Sequence, residues 1–199
     1  ERVRQIMNHP SFRRADQYLD LLKRDELRPT RLQLEFLKPE LILAEQGICG
    51  TIVIMGANRI IEPVAARHKV DRARKALEQH PQIPELKHRL AVAERILAKS
   101  HYYDVARELG RLVGKAGHGP GDCRLAIVTG GGPGLMEAAN RGSYDVEAKS
   151  VGLNISLPQE QYPNPYVTPE LCFQFRYFGL RKMNFHLRAK AMVAFPGGY

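Results

Sequence analysis

Two glycine-rich turns and one pair of bases have the composition to handle a phosphorylated ligand. Thr129-Gly130-Gly131-Gly132-Pro133-Gly134 follows the apolar run Arg124 to Val128 and precedes Leu135-Met136-Glu137-Ala138-Ala139-Asn140, a strongly helix-forming stretch with Gly142 expected as its stop. Strand, glycine loop and helix in that order bring backbone N–H groups and the positive end of a helix to an anion. The glycines remove the Cβ atoms that would block a close approach, and Pro133 stiffens the loop. A second turn, Pro196-Gly197-Gly198, follows Ala191 to Phe195, which reads as a buried strand; Tyr199 ends the sequence where a phosphate loop would continue into a helix. A lone glycine cluster can be a tight turn with no ligand, whereas two after two strands favour a nucleotide or phosphate. Arg181 and Lys182 fall in the first turn of a helix whose apolar stripe is Leu180, Met183 and Leu187. Cations there oppose the macrodipole by a few tenths of a kcal/mol unless an anion or carboxylate compensates, a small misfit that favours a site, although the residues alone read first as a pair of surface bases. His186 and Glu137 are read as structural or solvated rather than as acid–base groups.

Thr129 to Gly142, then Gly152-Leu153-Asn154-Ile155-Ser156-Leu157-Pro158, Arg181-Lys182 and the terminal Pro196-Gly197-Gly198-Tyr199 resemble the LOG ("Lonely Guy") family in the family's own order, over about Gly50 to Tyr199. The resemblance implies a Rossmann-like nucleotide-binding protein that hydrolyses the N-glycosidic bond of nucleoside 5′-monophosphates, AMP or cytokinin riboside monophosphates, to free base and ribose 5-phosphate. Many such proteins once carried the label lysine decarboxylase. It further implies Arg181 as a catalytic arginine, and Gly56, Gly130, Gly131, Gly132, Gly134, Leu135, Met136, Lys182, Gly197, Gly198 and Tyr199 as substrate or phosphate contacts. The family's Pro-Gly-Gly-x-Gly-Thr-x-x-Glu signature breaks off here at its x position, so its phosphate-binding threonine and the glutamate implicated in catalysis are expected beyond Tyr199. No cofactor and no metal are implied, and a homodimer or higher homo-oligomer is.

The alternative reading is a nucleotide- or molybdenum-cofactor-binding carrier without hydrolysis, since such carriers have similar loops. A decarboxylase is the weakest reading, because nothing singles out Lys182 or Lys190 as a Schiff-base lysine in a phosphate-cupped site.

The elements that must position these residues read as α/β. Thr51 to Met55 is the first strand, turned by Gly56-Ala57 where a doubly wound sheet has its ligand crevice; Ala57 stands where the family has a hydroxyl residue. Two helices are expected across an insert at about 63–100, with Val70, Ala73 and Leu77 on one stripe, Leu86, Leu90, Ala93 and Leu97 on the other, and Pro81 and Pro84 between them. A third helix, His101 to Lys115, carries Tyr102, Val105, Leu109 and Leu112 on one face, as core or oligomer contacts. Ser150 to Ser156 is a strand, Pro158 to Pro169 a proline-rich loop, and Leu171 to Tyr177 an alternating half-buried strand. Arg13 to Arg24 reads as a helix ended by Pro29. The expected fold is thus a Rossmann-like doubly wound parallel sheet over 46–199, with an N-terminal helical extension over 1–45.

Composition bounds the rest. A hydrophobic content of 44% in 199 residues is ample for a core. The net charge of +9 is scattered over helical stretches with no nucleic-acid-binding motif beside them, so no nucleic-acid partner is expected, while a positive field suits a phosphorylated small molecule. No run approaches a membrane span or a signal peptide, which makes cytoplasm the expected location. Cys49, Cys123 and Cys172, odd in number and far apart, are expected as reduced thiols.

Overall fold

A computed structural model describes residues 1–119, 123–156 and 162–196. Five parallel strands form a sheet in the order β5-β4-β3-β1-β6: β1 (Ile48–Met55), β3 (Cys123–Thr129), β4 (Ser150–Ile155), β5 (Cys172–Phe175) and β6 (Ala189–Ala194). A two-residue strand, β2 (His118–Gly119), pairs antiparallel with β3. The chain steps from β1 to β3, β4 and β5 and then returns to the far side of β1 as β6, so the order reverses around β1, where open α/β sheets place their crevice.

Helices cover both faces, which is the doubly wound arrangement expected. Val53, Val128, Val151, Leu153, Phe173 and Phe175 face α3 (Arg28–Glu45) and α8 (Phe178–Leu187), meeting Leu43 and Phe185. Ile54 and Ile127 face the opposite side, against Ala139 of α7 (Leu135–Tyr144) and Leu109 and Val113 of α6 (His101–Ala116). The connection from β1 to α6 is the expected pair of helices, α4 (Pro63–Gln79) and α5 (Pro84–Lys99), each with proline in its first turn, where the missing N–H has no partner to lose. Among the described residues no helix is long and apolar enough to cross a membrane.

Several local readings are corrected. Gly142 does not end α7; it lies within the helix, where a Cβ would come 1.9 Å from the carbonyl oxygen of Arg107 on α6. Gly110 of α6 faces the same crossing, its Cβ position lying 2.2 Å from the Ala139 carbonyl oxygen, so glycine here lets two helix backbones touch. That close contact buries Tyr103, Ala106 and Gly110; of the expected stripe, Tyr102 and Leu109 pack against the core while Val105 and Leu112 are left exposed. Pro29 does not end a helix but opens α3, and the stretch before it holds only short turns and α2 (Leu19–Lys23); α1 (Arg2–Asn8) precedes these. The β6 strand is a sheet edge, with Lys190, Ala191, Met192 and Ala194 exposed rather than buried. Cys49 is disulfide-bonded, against the expectation of reduced thiols, while Cys172 is free.

Candidate functional site

The site is built where β1, β3, β4 and β6 end. Gly134 has φ +76° and lies so close to the preceding turn that a Cβ on it would come 2.5 Å from the Ala57 carbonyl oxygen. That same oxygen accepts the N–H of Leu135 at 3.1 Å, so Ala57 joins the two turns through its backbone and needs no hydroxyl for this. Gly56 faces Leu135, which is fully buried; a Cβ there would come 2.7 Å from the leucine's own Cβ. Phe195 donates its N–H to the Met55 carbonyl at 2.8 Å and meets Tyr102 edge-on, which brings the end of β6 beside the end of β1. No side chain caps α7 at Gly134, and Leu135 is its first residue.

The glycine loop is held from behind. Thr129 Oγ1 accepts the N–H of Gly131 at 2.9 Å and donates to Asn140 Oδ1 at 2.7 Å. Asn164 Nδ2 lies 3.1 Å from the Gly131 carbonyl, 3.0 Å from that of Gly132 and 3.0 Å from Asn140 Oδ1. The Asn164 backbone N–H also donates to the Gly131 carbonyl at 2.8 Å. Gly131 itself, at φ +72°, turns against Asn154, whose amide nitrogen would lie 2.6 Å from a Cβ at that position.

Arg181 reaches the loop from α8 on the other face of the sheet. Its Nη2 sits 2.7 Å from where a Cβ on Gly130 would be, with Met136 Sδ at 3.0 Å from the same point. Nε donates to the Leu153 carbonyl at 2.6 Å, and the guanidinium lies over the Phe185 ring. Burial alone pulls its pKa below the ordinary value, and no carboxylate among the described residues pairs with it. An arginine stays charged under such conditions, so a half-buried guanidinium that meets a carbonyl, a ring and a thioether but no carboxylate among the described residues suits an anion.

α3 fixes α8 at both ends. Glu35 Oε1 accepts the N–H groups of Arg176 and Tyr177 at 3.0 and 2.8 Å, just before the helix starts, and Glu40 pairs with Arg188 just past its end, at 3.0 Å. Glu35 thus puts a carboxylate at the positive end of α8, where the macrodipole favours it.

Of the residues expected at a site, the fold brings Gly56, Gly130, Gly131, Gly132, Gly134, Leu135, Met136 and Arg181 together. It does not bring Lys182 there: that side chain is exposed, with Nζ over the ring of Phe178. Gly197, Gly198 and Tyr199 lie outside the described residues. Glu137 accepts the hydroxyl of buried Tyr103 at 3.1 Å, a structural role, and His186 is exposed. Sequence reading missed Asn164, Asn140 and Glu35, because each acts through a backbone or side chain far away in the chain; the Asn164-Pro165 pair signals only a turn.

Fold and site together define a Rossmann-like α/β protein with its glycine loop at the sheet's crevice. The family described as "possible lysine decarboxylase" matches residues 136–199. That match bears out the LOG resemblance carried by Met136 to Gly142, Arg181-Lys182 and the terminal Pro-Gly-Gly. The X-ray structure of TM1055, a structural-genomics target, is similar at 21% identity and a TM-score of 0.44, over 74% of this chain and 61% of that one. The chain therefore spans less than two thirds of the length of that structure. No protein of curated function matches it.

Proposed function

We propose that this protein hydrolyses the N-glycosidic bond of nucleoside 5′-monophosphates, giving free base and ribose 5-phosphate. The observation that carries the reading is the meeting of Arg181, half-buried and without a carboxylate partner among the described residues, with the glycine loop at the uncapped start of α7. A 5′-phosphate would be held by loop amides and the helix end, and binding so far from the reacting bond supplies positioning energy. Breaking the C1′–N bond builds positive charge on the ribose, water adds at C1′, and the base leaves with a proton. The step needs a carboxylate near the ribose, as the resemblance implies, and Arg181 would orient it and the ribose hydroxyls as charge develops. Lys182, exposed against Phe178, and Lys190, exposed on the edge strand, are poorly placed as Schiff-base lysines.

Incubating the full-length protein with a panel of nucleoside monophosphates and their nucleosides, then chromatographing for free base, tests the reading. Release from AMP but not from adenosine is expected. Equal cleavage of both would overturn the phosphate anchor, and tight binding with no release would favour the carrier. A homo-oligomer is also proposed, because Leu34 and Leu41 of α3 and Val105 and Leu112 of α6 stay exposed in one copy. Light scattering showing a monomer at low concentration would count against it.

A further inference from the structure

The loop contacts of Asn164 have a direction. Each peptide unit is planar and trans, so its C=O and its N–H point opposite ways. With the Gly131 carbonyl held by both nitrogens of Asn164, the N–H of Gly132 is turned away from Asn164. The Gly132 carbonyl is held by the same side-chain amide, and the residue after it, Pro133, has no N–H to present. One buried amide therefore keeps two carbonyl oxygens, each a partial negative charge, on the protein side of the loop. Asn164 is 7% exposed, and its own Oδ1 is occupied by the N–H of Tyr166 at 3.2 Å, which fixes which end of the amide faces the loop. Thr129 and Asn140 complete the arrangement: the Asn140 oxygen accepts from Thr129 Oγ1 at 2.7 Å and lies 3.0 Å from Asn164 Nδ2, whose two hydrogens are shared among it and the two carbonyls.

We infer that Asn164 is the positioning residue of the phosphate site: it withdraws the carbonyls of Gly131 and Gly132 from the ligand side and so leaves the Gly132 N–H to an anion. The inference rests on the nucleotide reading above but concerns a residue that touches no substrate. It distinguishes a carbonyl-holding role from space filling. Asn164→Asp keeps the shape but replaces the donor with acceptors that repel both carbonyls. Asn164→Ala removes the donor and leaves the backbone bond to Gly131. A space-filling role makes Asp the milder change, whereas a carbonyl-holding role makes it the more severe.

The test is calorimetric binding of AMP and of ribose 5-phosphate to the full-length protein and both variants, with melting temperatures alongside. The loss of a donor to two buried carbonyls is expected to weaken both ligands by roughly tenfold or more, with Asp at least as damaging as Ala. In turnover assays KM rises by a similar factor while kcat changes little. Unchanged affinity in folded variants, or Asp binding as wild type while Ala does not, overturns the inference. Amide NMR of the nitrogen-15-labelled wild type keeps it testable even where a variant does not fold. On adding AMP the Gly132 N–H resonance should move and that of Gly131, already bonded to Thr129, should not; the reverse pattern also overturns it. Wild-type protein that binds neither AMP nor ribose 5-phosphate sinks the nucleotide reading itself, a different failure from wild-type binding that survives the loss of Asn164.

Discussion

Arg181 and Gly130 fit each other: the guanidinium Nη2 occupies space 2.7 Å from where any side chain at position 130 would begin. The arginine crosses from one face of the sheet to the loop on the other and is steadied by the Leu153 carbonyl at 2.6 Å. A charge so held, with no carboxylate beside it among the described residues, can respond to charge that appears during reaction. Arg181→Ala in the full-length protein is expected to lower turnover of AMP by roughly two to three orders of magnitude, about 2–4 kcal/mol, with a much smaller loss of affinity. Lys182→Ala should alter neither by much, since its ammonium rests on the exposed Phe178 ring. Steady-state kinetics paired with binding measurements decide this. Turnover that survives the arginine substitution returns Arg181 to a purely structural role.

Gly131 tests the loop itself. Its φ of +72° disfavours any side chain, and a Cβ there would come 2.6–2.9 Å from the Asn154 side-chain amide. Gly131→Val is expected to cost about 1–3 kcal/mol of stability through backbone strain and to abolish AMP binding, because the loop must leave its present course. Calorimetry on folded variant protein checks it. Unaltered AMP affinity would mean that the turn serves only the path of the chain.

Legibility followed the range of the forces involved. Apolar runs such as Ile52 to Met55 and Leu125 to Val128 declare strands locally, and the glycine cluster after the second declares a turn, so the doubly wound parallel class and the crevice could be anticipated, while the strand order could not. The faces of α6 and α8 could not. In α8 the stripe Leu180, Met183, Leu187 suggested the buried side, yet Met183 and Leu187 are about half exposed, while Asn184 and Phe185 are buried and Arg181 is turned inward. Placing a cation at the crevice overrides the hydrophobic pattern there, and only the tertiary structure shows it. Pro29 misled for a simpler reason: proline both ends helices and begins them, and the sequence around it does not say which. Asn164 was invisible because its partners are carbonyl oxygens more than thirty residues away, and backbone atoms leave no mark in a sequence.

Asp145 links α6 and α7 at the far end from the loop. Its carboxylate takes hydrogen bonds from Arg107 at 2.6 and 2.9 Å and from Arg111 at 3.0 Å. The Arg107 hydrogen bond, more than any other influence, holds the Asp145 pKa below the ordinary carboxylate value. A carboxyl group whose folded pKa is lowered contributes stability above its unfolded pKa, about 3.9, and loses it as pH falls through the folded value. Asp145→Asn should therefore be less stable than wild type at pH 7, with the difference shrinking as the solution is acidified below about pH 4. Urea melts across that range measure it. A difference independent of pH would show that the charge on Asp145 contributes nothing and that only its shape matters.

Glu35 gives the most distant handle on the site. It sits on α3, yet its carboxylate receives the N–H groups of Arg176 and Tyr177 at 3.0 and 2.8 Å, and the carbonyl of Tyr177 in turn accepts the N–H of Arg181 at 3.1 Å. The start of α8, and with it the direction of the Arg181 side chain, is therefore set by a helix lying outside the stretch that resembles the LOG family. Glu35→Ala leaves two N–H groups without their acceptor and removes a negative charge from the positive end of the helix. The expected cost is about 1–2 kcal/mol of stability, read as a lower urea midpoint. Glu35→Gln keeps an acceptor and loses the charge, so it should fall between the two. If Arg181 acts in turnover, Glu35→Ala should also reduce kcat at temperatures where the variant is fully folded, with AMP affinity nearly unchanged, and Glu35→Gln should restore part of that loss. A variant as active as wild type would show that α8 keeps its place without α3 and that Glu35 serves stability alone.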